Sequence, residues 1–88
     1  RLAENELYVA QFYLKNERYE PARARLEHLR QKYPAFSEIH KAEFLLAKAY
    51  YFTDDKEKSS ALLGALEDKI EDEDLRNELR DFLEDNDL

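Results

Sequence analysis

Residues 7–34 read LYVAQFYLKNERYEPARARLEHLRQKYP, and their pattern returns 37 positions later in residues 44–71, FLLAKAYYFTDDKEKSSALLGALEDKIE. At that constant shift Ala10, Tyr13, Ala22, Leu26 and Leu29 fall on Ala47, Tyr50, Ser59, Leu63 and Leu66. Repetition at such a period marks a stacked array of supersecondary units. The small residue at Ala10 and Ala47 lets a paired helix approach closely, and Tyr13 and Tyr50 fill the gap one turn on. Ala22 and Ser59 are the matching small contacts. Chance alignment in an alanine-rich helical chain is the alternative, and Tyr13, Tyr19 and Pro34 in their places argue against it.

Each copy is helical in its spacing. From Leu2 to Leu14 the apolar residues Leu2, Ala3, Leu7, Val9, Ala10, Phe12, Tyr13 and Leu14 cover more than half the circumference, which predicts a helix packed on both sides. Asn16-Glu17-Arg18 interrupts the pattern. Tyr19, Ala22, Leu26, Leu29 and Tyr33 then form a single stripe, with Pro21 in the first turn, where no backbone donor is needed. Tyr33-Pro34 ends this helix, because proline disfavours the helical conformation in the residue before it. Ser37 is expected to cap a third helix carrying Ile39, Ala42, Leu45, Leu46, Ala49, Tyr50 and Phe52. Thr53-Asp54-Asp55 makes the next turn, and a fourth helix follows with Leu62, Leu63, Leu66 and Ile70. Gly64 costs about 1 kcal/mol in a helix and suggests a close contact there. Leu75, Leu79, Phe82 and Leu83 give a fifth helix with one narrow stripe among acidic residues, as expected of a terminal cap.

Composition narrows the function. One Gly, two Pro and 40% charged residues suit helices on short turns and give strands almost no support. The net charge of −7 is spread unevenly, at +2 for residues 1–34, zero for 35–53 and −9 for 54–88. The acidic third repels phosphates, so neither nucleic acid nor an anionic membrane surface is expected as a partner. Without cysteine there is no disulfide, thiolate metal site or thiol nucleophile. His28 and His40 lack metal-ligand spacing, and Glu71 to Asp74 lacks the spaced ligands and glycine of a calcium loop. That acidic run reads instead as negative charge at a helix amino terminus. No glycine-rich phosphate loop or nucleophile elbow occurs, and Ser37, Ser59 and Ser60 have no partnered histidine, so the reading is of a non-enzymatic protein without metal or cofactor. The chain starts at Arg1 with no initiator Met, signal-like stretch or run near the roughly 20 apolar residues of a membrane span, and is expected to be part of a longer protein.

The spacing resembles the tetratricopeptide repeat. Ala10, Tyr13, Tyr19, Ala22 and Pro34 supply its small, aromatic, aromatic, small and proline positions, while Glu6 stands where the pattern has tryptophan. The second copy departs further, with Lys56 for the turn aromatic and Glu71 for the proline. The expected architecture is all-α: a tetratricopeptide-like repeat over 1–34, a degenerate second repeat over 35–70, and an acidic terminal helix and tail over 71–88. A narrower likeness covers residues 2 to 66. Leu7-Tyr8-Val9-Ala10-Gln11-Phe12-Tyr13-Leu14, then Tyr19, Arg25, Tyr33-Pro34 and Ala49-Tyr50-Tyr51 resemble the last two repeats of the BamD family of outer-membrane-protein assembly lipoproteins. The resemblance implies a periplasmic location, a lipid anchor outside this segment, and docking on the POTRA domains of a BamA-type barrel subunit and on accessory lipoproteins. It also implies that Arg25 is the docking arginine. The acidic segment after Ile70 has no counterpart in this likeness.

Arg18, Arg25 and Lys32 lie seven residues apart on the second helix, beside its buried stripe, with Arg23 and Arg30 on a second line. Such a face is either a docking surface for carboxylates or a solvated helix side, and the resemblance favours docking at Arg25. Among the tyrosines, Tyr13, Tyr19 and Tyr50 hold repeat core positions, whereas Tyr8 and Tyr51 are expected to be partly exposed, with Tyr8 a contact for a partner. A different tetratricopeptide adaptor of the cell envelope or a secretion system, or a segment stacking only on its own chain, fits the same pattern.

Overall fold

Apolar residues recurring every third and fourth position fold the chain into five helices and no strand in the computed structural model, which describes residues 1–88. They are α1 (Leu2–Lys15), α2 (Tyr19–Lys32), α3 (Ile39–Phe52), α4 (Lys56–Glu67) and α5 (Glu73–Asp85). The 37-residue repetition extends to the backbone. Glu17 and Asp54 both take left-handed φ, at 58° and 63°. Beside them, the Arg18 and Asp55 N–H groups donate to the Tyr13 and Tyr50 carbonyls at 2.8 and 2.9 Å. Each is the six-to-one bond of a Schellman ending, which satisfies carbonyls the helix leaves unpaired and reverses the chain.

α1 packs on α2, α2 on α3 and α3 on α4, giving stacked helical hairpins of the tetratricopeptide type. Ala10, Ala22, Leu26, Leu29, Ala47, Leu63 and Leu66 are all buried at their contacts. Ser59 is buried too, and its hydroxyl donates to the Ala47 carbonyl at 2.7 Å, so it joins α4 to α3 where the first repeat has only the Ala22 methyl. Tyr50 is buried. Tyr13 and Tyr19 are half-buried, with Tyr19 stacked on Phe52 at 4.7 Å between ring centres.

α5 is fastened across α3. Asp72 caps it by accepting the Leu75 N–H at 3.1 Å, and Arg76 donates twice to the Ile70 carbonyl, at 2.6 and 3.2 Å. Leu79 and Phe82 are buried, and Phe82 stands edge-on to Phe44, Tyr51 and Phe52. Phe44 escaped the sequence reading because α3 is buried on several sides and no single stripe includes it.

Three expectations are corrected. α1 is covered on the α2 side only, with a light touch from α3, so Leu2 and Phe12 face outward at 65 and 57% exposure beside Tyr8, whose 73% exposure agrees with expectation. Ser37 does not cap α3: Glu38 holds that position without a side-chain bond, and backbone turns at Phe36→Tyr33 and Ile39→Phe36 (3.1 and 3.0 Å) make the entry. Gly64 is exposed, and apart from its own stretch of helix backbone no atom lies within 4 Å of where a Cβ would stand, so it serves no close contact. Asp55 does cap α4, accepting the Lys58 N–H at 3.3 Å.

Candidate partner-binding surface

On α2, the inward set of Ala22, Leu26 and Leu29 turns Arg25 toward the flank of α1 on which Glu6 lies. The Arg25 guanidinium donates through Nη1 to Glu6 Oε1 at 2.7 Å, and His28 Nδ1 lies 2.5 Å from Glu6 Oε2. Glu6 is enclosed at 14% side-chain exposure, whereas Arg25 keeps 41%. Burial pushes the Glu6 carboxyl up, but hydrogen bonds and charge from Arg25 and His28 outweigh it and hold the group below its ordinary value. The Glu6 hydrogen bond in turn raises Arg25, which stays charged throughout. A carboxylate thus replaces the bulk of the repeat pattern's tryptophan and braces the docking candidate. His28, which has no metal-ligand spacing in the sequence, is exposed and belongs to this cluster.

The other residues singled out are dispersed. Arg18 and Lys32 are exposed and form no ion pair, and Tyr8 is the most exposed of the large apolar side chains. Arg23 and Arg30 are committed internally. Arg30 donates to Glu43 at 2.9 Å, tying α2 to α3. Arg23 lies 4.9 Å over the Tyr50 ring and donates to Thr53 Oγ1 at 3.2 Å. The Tyr50 hydroxyl donates to Glu27 Oε2 at 2.8 Å, and burial, then this bond, pushes its pKa up to about 12. Of the cationic face, this leaves Arg18, Lys32 and the open side of Arg25 turned to solvent. No group of three His, Cys, Asp or Glu residues converges to hold a metal, and no helix is long and apolar enough to cross a membrane.

Stacked hairpins with Schellman reversals and small–aromatic–small contacts define a helical repeat protein of tetratricopeptide type. Residues 1–62 match the YfiO family, described as an outer membrane lipoprotein, and the chain belongs to that family. The match agrees with the BamD-type resemblance and covers α1 to α3 and the first half of α4. No curated protein and no solved structure gives a significant match.

Proposed function

We propose that the chain is a non-catalytic scaffold that docks on the periplasmic POTRA domains of a BamA-type subunit, as the carboxyl-terminal part of a BamD-like lipoprotein. In this reading residues 1–34 and 35–70 are its two repeats and 71–88 its acidic terminal helix. It acts on the periplasmic side of the outer membrane, held by a lipid anchor outside these residues. Arg25 is the main polar contact, with Arg18, Lys32 and Tyr8 around it, and accessory lipoproteins are further partners. The observation that carries the reading is the family match over residues 1–62, and a braced, half-open Arg25 supports it. A guanidinium held by one carboxylate keeps free N–H groups for a second one on a partner.

Calorimetric titration against the periplasmic domains of a cognate BamA-type protein, at two salt concentrations, tests it. Arg25→Glu would set a carboxylate against Glu6 and confuse binding with stability, so Arg25→Gln and Glu6→Gln are the variants to compare. Saturable, salt-weakened binding lost in Arg25→Gln and kept in Glu6→Gln supports the docking reading. A well-folded chain that does not bind would favour another envelope adaptor, or a segment that braces only its own chain.

A further inference from the structure

A groove of about 490 Å³ runs between α1 and α5 with α3 as its floor, on a different flank of α1 from the Arg25 cluster. Leu14 and Lys15 line one wall, Leu45, Lys48 and Phe52 the floor, and Phe82 the other wall. Of its nine lining residues five are apolar, two are lysines and none is a carboxylate, although the chain has 21 acidic residues and a net charge of −7. Neither lysine takes part in an ion pair. Lys48 is held over the floor, its Nζ 5.1 Å from the Phe44 ring centre and 5.8 Å from that of Phe82. Phe52, on the same floor, remains 45% exposed.

What occupies the neighbouring strip of α3 indicates the chemistry of the missing occupant. α5 is an acidic amphipathic helix: Leu79 and Phe82 are buried, Phe82 against the α3 rings, while Glu78, Asp81, Glu84 and Asp85 stay out. The α3 surface continues past Phe82 into the groove with the same aromatic and aliphatic floor, and with cations where α5 carries acids. We propose that the groove docks a second acidic amphipathic helix, supplied by another protein, which lies beside α5. Its apolar anchors enter between Leu14, Leu45 and Phe52, and its carboxylates meet Lys15 and Lys48. This surface is independent of Arg25, so the scaffold holds two partners, or two parts of one, at once.

Fluorescence anisotropy with the whole 88-residue chain tests this, using two short labelled peptides with leucine and phenylalanine at i, i+3, i+4 and i+7. One has glutamate at the remaining positions and the other lysine. The expected result is saturable binding of the glutamate peptide, at least about tenfold tighter than the lysine peptide and weakened by salt. Lys15→Glu with Lys48→Gln should weaken it by about tenfold or more, with the helical circular dichroism retained, while Lys15→Arg with Lys48→Arg and Arg25→Gln bind normally. Equal affinity for both peptides, no saturable binding, or equal loss in Arg25→Gln would overturn the proposal. So would concentration-dependent self-association abolished by the double variant, since a second copy would then fill the groove.

Discussion

Arg25 and Glu6 meet across the first hairpin at 2.7 Å, where the repeat pattern expects a tryptophan on α1. The hairpin is closed there by charge instead of bulk. Because Glu6 is enclosed and Arg25 half-open, the pair serves α1–α2 packing and presents a guanidinium at the same time. Arg25→Gln should lower stability by roughly 1–2 kcal/mol, the exposed guanidinium keeping the figure well below that of a fully buried pair. A double-mutant cycle with Glu6→Gln, read by thermal melting, checks it. Additive losses would mean that the two side chains do not stabilise each other.

The same pair makes the fold acid-sensitive. The Glu6 carboxyl titrates lower in the folded chain than in the unfolded one, so its contribution is complete above the unfolded value of about 4.3 and disappears as pH falls through the lower folded value. Melting temperature should therefore drop on acidification below about pH 4.3. Glu6→Gln should flatten that part of the curve while lowering stability at neutral pH. An unchanged acid limb in the variant would transfer the effect to other carboxylates.

Gly64 faces solvent with open space around its missing Cβ, so Gly64→Ala adds helix propensity without a clash. The gain should be about 1 kcal/mol, or about 4–8 °C in melting temperature for a domain of this size. A destabilised Gly64→Ala would reveal a contact that the helix surface does not display.

The hairpins were legible in sequence because their signals are local. Pro34 after Tyr33, Asp55 before α4 and the 37-residue register of Ala10 with Ala47 each fix a boundary or a contact within a few residues of themselves. What escaped depends on pairs distant along the chain. Glu6 and His28 are 22 residues apart, and Glu6 showed only as a carboxylate at an expected tryptophan. Phe44 was not among the apolar residues read on α3, and it is buried against Phe82 of α5. The α1 surface at Leu2 and Phe12 was read as buried on hydrophobicity alone, which cannot say whether a neighbour is present to cover it. Gly64 misled for a related reason: a glycine marks permission for a close approach, and here nothing approaches.

Tyr50 links α2, α3 and the turn into α4 through Glu27 and Arg23, and its neutral hydroxyl is the form that fits. With its pKa raised to about 12, the contribution is complete below the unfolded value of about 10 and is lost between the two as pH rises. Tyr50 should ionise late in a spectrophotometric titration of the folded chain, and Tyr50→Phe should remove that late step. A late step that persists would place the shielded phenol elsewhere.

α5 is held to the hairpins by few side chains, so its attachment should fail before the rest. Phe82 contributes the rings' edge contacts with Phe44, Tyr51 and Phe52, and Asp72 and Arg76 fix only the amino-terminal end of the helix. Truncating a core phenylalanine costs about 3–5 kcal/mol where the surroundings stay in place, but a terminal helix can instead detach and cap that loss. Phe82→Ala is therefore expected to melt α5 locally. Hydrogen exchange should show the amides of residues 75–85 losing protection while those of α2 and α3 keep theirs, because α2, α3 and α4 pack far more extensively on one another than on α5. Uniform loss of protection would mean that α5 is part of one cooperative unit with the hairpins, and the groove beside it would then exist only while the whole chain is folded.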